Sequence, residues 1–189
     1  MEEIPKQSTA DSLRIVIFGP ESCGKSTLAQ QLAAHFDTVW VPEYMRPYLQ
    51  EKLDTTGLKI SKDDLIPIAR GQMMAENAAA ESANKLLFCD TDLLQLEVYS
   101  KYYYEGFVPK ALTAAVDQNI YYHYLLVNID IPWVKDDLRD RPEERLTLFR
   151  IFEDTLKSRD IPYHLISGQG DERLQNAIDL INKLLSGGC

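Results

Sequence analysis

Residues 19–27 read GPESCGKST, a run that fits G-x-x-x-x-G-K-[ST]. Gly19 and Gly24 let the backbone fold back, so that successive N–H groups point into one hollow. That hollow opens a helix N-terminus, whose dipole favours a polyphosphate. Lys25 has the reach for β- and γ-phosphates, and the Ser26 hydroxyl suits Mg²⁺. Pro20, Glu21, Ser22, Cys23 and Thr27 complete the expected nucleotide-binding loop, in which Cys23 reads as a small space-filler rather than a nucleophile. ATP and Mg²⁺ are the cofactors implied.

Two further carboxylates stand where strands should end. Asp90 follows the apolar run LLFC, and ligands of open α/β sheets bind at the carboxyl edge of the strands. An Asp there suits a second hold on Mg²⁺ beside Ser26. Asp92, two residues on, is either a helix cap or a group acting on the acceptor. Glu43 follows TVWV and opens EYMRPY. It faces the same edge and competes with Asp92 for the role of general base, with Arg46 as a partner for Glu43 or for phosphate. The charged run KDDLRDRPEER, 135–145, carries Arg139, Arg141 and Arg145 and reads as a lid that closes on developing phosphoryl charge. Trp133 and the tyrosines Tyr99, Tyr102, Tyr103 and Tyr104 are candidates to stack a planar ring. His35, His123 and His164 have no spacing suited to a metal or a triad.

These groups need a scaffold, and the hydrophobic pattern supplies one. LRIVIF (13–18), TVWV (38–41), KLLFC (85–89), YLLVNI (124–129) and YHLI (163–166) read as short strands, the apolar runs among them buried on both faces. Helical patterns fall between them, over 25–36, within 44–53, over 61–84, 91–105 and 110–122, then up to 159, and over 171–185. Strands alternating with helices imply a mostly parallel, doubly wound sheet. Residues 1–12 form a polar, flexible lead-in, and 13–189 form one domain.

Composition narrows the function. The 189 residues carry 20 Lys and Arg against 29 Asp and Glu, a net charge of −9, which disfavours a nucleic-acid footprint. No run reaches the roughly 18 apolar residues of a membrane span. Three cysteines without CxxC spacing read as free thiols of a cytoplasmic protein. Nothing bears on oligomeric state. A regulatory GTPase would carry D-x-x-G and N-K-x-D; neither is found where it would be needed. A small-molecule kinase requires only a phosphate loop, an acceptor pocket and an arginine lid, which this length accommodates.

Four blocks in order, GPESCGKSTLAQQLA, EYMRPY, LLFCDTDLLQLEVYSKYY and IPWVKDDLR, resemble the ribosylnicotinamide kinase domain of bacterial bifunctional NAD-biosynthesis regulators. The resemblance spans about 13 to 185. It implies a P-loop NTPase three-layer α/β fold, with a five-stranded parallel sheet, nucleoside/nucleotide-kinase-like with an Arg lid. It also implies ATP-dependent phosphorylation of the 5′-hydroxyl of a small-molecule nucleoside, nicotinamide riboside, to nicotinamide mononucleotide. Carried over by position, Gly19–Thr27 hold ATP, Ser26 and Asp90 the Mg²⁺, and Glu43, Tyr44, Arg46 and Asp92 lie around the ribose. Trp133, Asp136 and Arg139 precede the lid, and Arg145 takes the place of a second lid arginine. Two departures fall near the acceptor: Pro42 where the family has Trp before Glu, and Leu94 and Gln95 where it continues Thr-Thr. Adenylyltransferase and helix-turn-helix blocks are missing, so a freestanding kinase is expected. A kinase for another nucleoside or vitamin-like alcohol, and a non-catalytic ATP-binding sensor, are the alternatives.

Overall fold

The computed structural model describes residues 3–133 and 142–187. Five strands, β1 (Leu13–Phe18), β2 (Trp40–Val41), β3 (Leu86–Asp90), β4 (His123–Val127) and β5 (Tyr163–Ile166), form one parallel sheet in the order β2-β3-β1-β4-β5. Its strand alternation divides the core in two. Ile15, Ile17, Phe88, Leu125 and Val127 pack with α1 (Lys25–His35) and α7 (Asp171–Leu185). Val16, Phe18, Leu87 and Leu126 face the other layer, which includes α4 (Leu93–Tyr103) and α6 (Arg145–Ser158). The three-layer parallel architecture expected from the sequence is therefore present. β1 lies in the middle, so the loop that follows it opens at the centre of the sheet's carboxyl edge, with β3 on one side and β4 on the other.

A smaller cluster joins α3 (Leu65–Ser82), α4 and α5 (Lys110–Gln118) through Leu65, Ile68, Met73, Leu93, Leu96 and Leu112. The pattern over 61–84 begins as a 3-10 turn, Lys62–Asp64, in which Ser61 and Asp64 make a reciprocal capping box. Pro67 does not break α3, because it stands in the first turn, where no backbone donor is required. Gly71 is needed for space: a Cβ there would come within 2.1 Å of the Tyr44 ring. That contact seats α2 (Met45–Thr56) on α3.

The expected strand over 38–41 shortens to Trp40–Val41. β2 is an edge strand, and Thr38 is held by its hydroxyl, which donates to the Leu86 carbonyl at 2.6 Å and accepts from the Asn84 N–H. The lead-in, expected to be flexible, has no helix or strand over 3–12 but is tied to α3. The Gln7 amide donates to Glu76, the Ser8 N–H to Asn77, and the Asn77 amide to the Lys6 carbonyl.

At the sheet's other end, His123 Nε2 and His164 Nδ1 are 2.8 Å apart, linking β4 to β5. Burial and the neighbouring His164 pull His123 down to about 4. A histidine lowered in this way binds fewer protons folded than unfolded. Stability should therefore fall as pH drops through the window from 6.5 to about 4, by roughly 1–3 kcal/mol. Urea unfolding at about pH 7.5 and about pH 5 would measure this, and His123→Gln should narrow the difference.

Candidate active site

The loop after β1 is shaped by its glycines. Gly19 has φ 143° and Gly24 φ 87°. A Cβ on Gly19 would meet the Val127 carbonyl at 3.1 Å, and one on Gly24 would meet the Arg173 guanidinium at 3.0 Å. Lys25 is buried, and its Nζ donates to the Pro20 carbonyl at 2.9 Å. Burial lowers its pKa, but Cys23, Glu43, Asp90 and Glu21 together outweigh this and raise it, so the ammonium persists. Cys23 is also buried, its Sγ 3.0 Å from the same carbonyl. Burial raises its pKa against the pull of Lys25, Arg173 and Arg145. It is a space-filling thiol.

β3 ends by splitting its two carboxylates. Thr91 sits at φ 77°, a costly conformation for a β-branched residue of the kind that clusters at functional sites. Asp90 on one side has the Ser26 hydroxyl and the Glu43 backbone N–H beside it, both of which favour its charged form. Burial nevertheless raises its pKa, Lys25 opposing, and Oδ1 has no hydrogen-bond partner among the described residues. A buried carboxylate with a bare oxygen beside a serine hydroxyl fits a divalent cation. Among the described residues no group of three or more His, Cys, Asp or Glu is placed to hold a metal ion by itself.

Asp92 turns the other way. It caps α4, accepting from the Gln95 N–H at 3.2 Å, and its second oxygen accepts from Tyr124 OH at 2.5 Å. Burial pushes its carboxyl up to about 7. Both oxygens are engaged, and Asp92 does not line the main cavity. Glu43 does.

That cavity, about 540 Å³, runs from Glu21, Ser22, Lys25 and Ser26 to Glu43 and Arg46. Beyond them stand apolar residues such as Leu49 and Leu58 and a wall of Tyr99, Tyr103 and Tyr104. Tyr99 and Tyr103 are parallel, with centroids 5.9 Å apart. Tyr102, the fourth candidate, packs into the core layer with α4 and α6. Tyr44 is not in the lining; its N–H donates to Gln72 Oε1 and its ring packs on α3. Trp133 is half-buried, with its indole N–H unpartnered among the described residues. Asp136, Arg139 and Arg141 lie outside the described residues. Arg145 of the expected lid is described, and its guanidinium donates to the carbonyls of Ile131 and Ser22 at 2.7 and 3.0 Å.

Arg173 escaped the sequence reading. Buried in the first turn of α7, it donates to the carbonyls of Gly168 and Cys23 and pairs with Asp130. It fastens the phosphate loop to the loop before α7. An isolated arginine in an amphipathic helix carries no local signal of this role, because its partners are distant in sequence.

The fold and loop together define a P-loop protein of nucleoside-kinase-like architecture. Residues 14–173 match the family model described as an AAA domain; the chain belongs to that family. It is 30% identical over 188 residues to the trifunctional NAD biosynthesis/regulator protein NadR of Salmonella typhimurium, and 29% identical to NadR of Escherichia coli. Each alignment covers 97% of this chain and 46% of the relative, so the chain spans about half the length of the curated relatives it matches. Among solved structures, NadR in complex with NR superposes with TM-score 0.75 at 22% identity, over 92% of this chain and 51% of that one. Deoxyadenosine kinase from M. mycoides with bound dATP superposes with TM-score 0.59 at 16% identity, over 90% and 99%. The homology upholds the resemblance drawn from the four sequence blocks. Among the described residues no helix is long and apolar enough to cross a membrane.

Proposed function

We propose that the chain is a kinase that transfers the γ-phosphoryl group of ATP to the 5′-hydroxyl of nicotinamide riboside, yielding nicotinamide mononucleotide and ADP. One observation carries this reading: a single cavity joins the phosphate loop at Lys25 and Ser26 to a carboxylate, Glu43, and a tyrosine wall. Donor phosphate, base and a platform for a planar ring thus share one enclosure of ligand size. The likeness to NadR points to the same acceptor.

In this reading Lys25 and the loop N–H groups from Gly19 to Thr27 cradle the phosphates. Ser26 and Asp90 would hold Mg²⁺, which would supply charge neutralisation at the transferring group. Glu43 accepts the proton of the acceptor hydroxyl as the new P–O bond forms and the bond to the ADP oxygen breaks. Arg46 lies beside the acceptor, and Tyr99, Tyr103 and Tyr104 take its ring. Arg145 stabilises developing charge, joined from the lid by Arg139. Asp92 shapes α4 rather than moving a proton, and Tyr44 seats the helix that carries Arg46. Trp133 and Asp136 lead into the lid.

A coupled ADP-release assay with Mg²⁺-ATP and a nucleoside panel tests this, with nicotinamide riboside expected to stimulate turnover most. Stimulation by a different nucleoside would keep the chemistry and replace the acceptor. ATP binding without stimulation by any acceptor would make the chain a sensor rather than a kinase.

A further inference from the structure

Glu43 also lines a second, small recess of about 10 Å³, together with Asp92 and apolar residues such as Ile68, Leu93 and Leu96. Gln72 of α3 and Gln95 of α4 line it, and both are buried. Their amide orientations are fixed by chemistry. The Tyr44 N–H can only donate, so the Gln72 atom it meets at 2.8 Å is the carbonyl oxygen. The Glu43 carboxylate can only accept, so the Gln95 atom 3.2 Å from its Oε1 is the NH₂. This leaves Gln72 Nε2, a donor, and Gln95 Oε1, an acceptor, both without partners among the described residues. Thr91 Oγ1, which can do either, is likewise buried and unpartnered, and Thr91 lines the same recess.

Leaving buried donors and acceptors such as these without partners is costly. A recess of about 10 Å³ with three polar partners is the size and lining that one buried water occupies. We propose that one water in this recess bridges Gln72 to Gln95 and completes a buried relay, from the Tyr44 N–H to Glu43, that positions the Glu43 carboxylate. Gln95 is the positioning residue and Gln72 its support. Burial of the Gln95 side chain keeps bulk solvent from competing for its amide. Gln95 is further fixed because its own backbone N–H donates to Asp92. The proposal rests on Glu43 acting as the base, and it gives α4 a second role besides carrying the tyrosine wall.

A crystal structure of the full chain that resolves ordered water should show one in the recess, bonded to both glutamines. In Gln95→Met the Glu43 carboxylate should leave its position. With nicotinamide riboside and Mg²⁺-ATP, Gln95→Met should lower kcat about 10- to 100-fold with the KM for ATP unchanged. Gln72→Met should act in the same direction and more weakly. In a Glu43→Gln background neither substitution should lower kcat further, because nothing remains to position. A dry recess with the amides turned apart would overturn the relay. So would equal losses with and without Glu43, which would make Gln95 a packing residue. Should Gln95→Met not fold, Gln72→Met and the unsubstituted crystal carry the same test. Should nicotinamide riboside not be phosphorylated, the functional reading falls while the crystallographic comparison still decides the relay.

Discussion

Lys25→Ala should reduce phosphoryl transfer about 10³-fold or more, equivalent to roughly 4 kcal/mol of lost transition-state stabilisation. Lys25 is buried at the base of the phosphate loop, and its surrounding anionic groups keep it charged. Its Nζ rests on the Pro20 carbonyl, a neutral acceptor that a phosphate oxygen would outcompete. Alanine removes the charge without touching the glycines that shape the loop. Weakened ATP binding should accompany the loss in rate, since the charge acts on bound nucleotide as well as on the transition state. Stopped-time product assays together with calorimetric titration of ATP would measure both. Undiminished turnover would remove the loop from the chemistry.

Glu43→Gln should lower kcat about 10²–10⁴-fold, the usual span for loss of a positioned general base. ATP affinity should be preserved, because the substitution leaves the phosphate loop and the Glu43 backbone N–H beside Asp90 in place. Asp92→Asn makes the contrasting case. Its oxygens serve the Gln95 N–H and the Tyr124 hydroxyl, so its loss should appear first in thermal stability. Steady-state kinetics on the two variants, beside their melting curves, would separate the roles. A Glu43 variant with wild-type kcat would return the base assignment to Asp92.

These two carboxylates also show where sequence reading stops. Both follow short strands and both face the sheet's carboxyl edge by position. Glu43 lines the main cavity and Asp92 does not; Asp92 follows Thr91 at φ 77°, and residue types do not announce a threonine in that region. β1, β3 and the phosphate loop were legible because their signals are local: continuous apolar runs and a fixed glycine spacing. The edge strand was overread, since TVWV has strand-forming residues throughout but only one neighbouring strand to pair with. The glutamine relay and the buried arginine were illegible for a different reason. Gln95 and Glu43 are 52 positions apart, and Arg173 and Cys23 are 150 apart, separations at which no periodicity survives.

The arginine contacts bear on the order of events during synthesis. The nucleotide loop is encoded by nine consecutive residues, yet its carbonyls at Ser22 and Cys23 are held by side chains 123 and 150 positions further along. A ribosome-bound chain that has exposed only the first half therefore carries the glycine motif without the braces that set its curvature. Competence to grip a polyphosphate therefore waits for α6 and α7, whose arginines close the loop from behind.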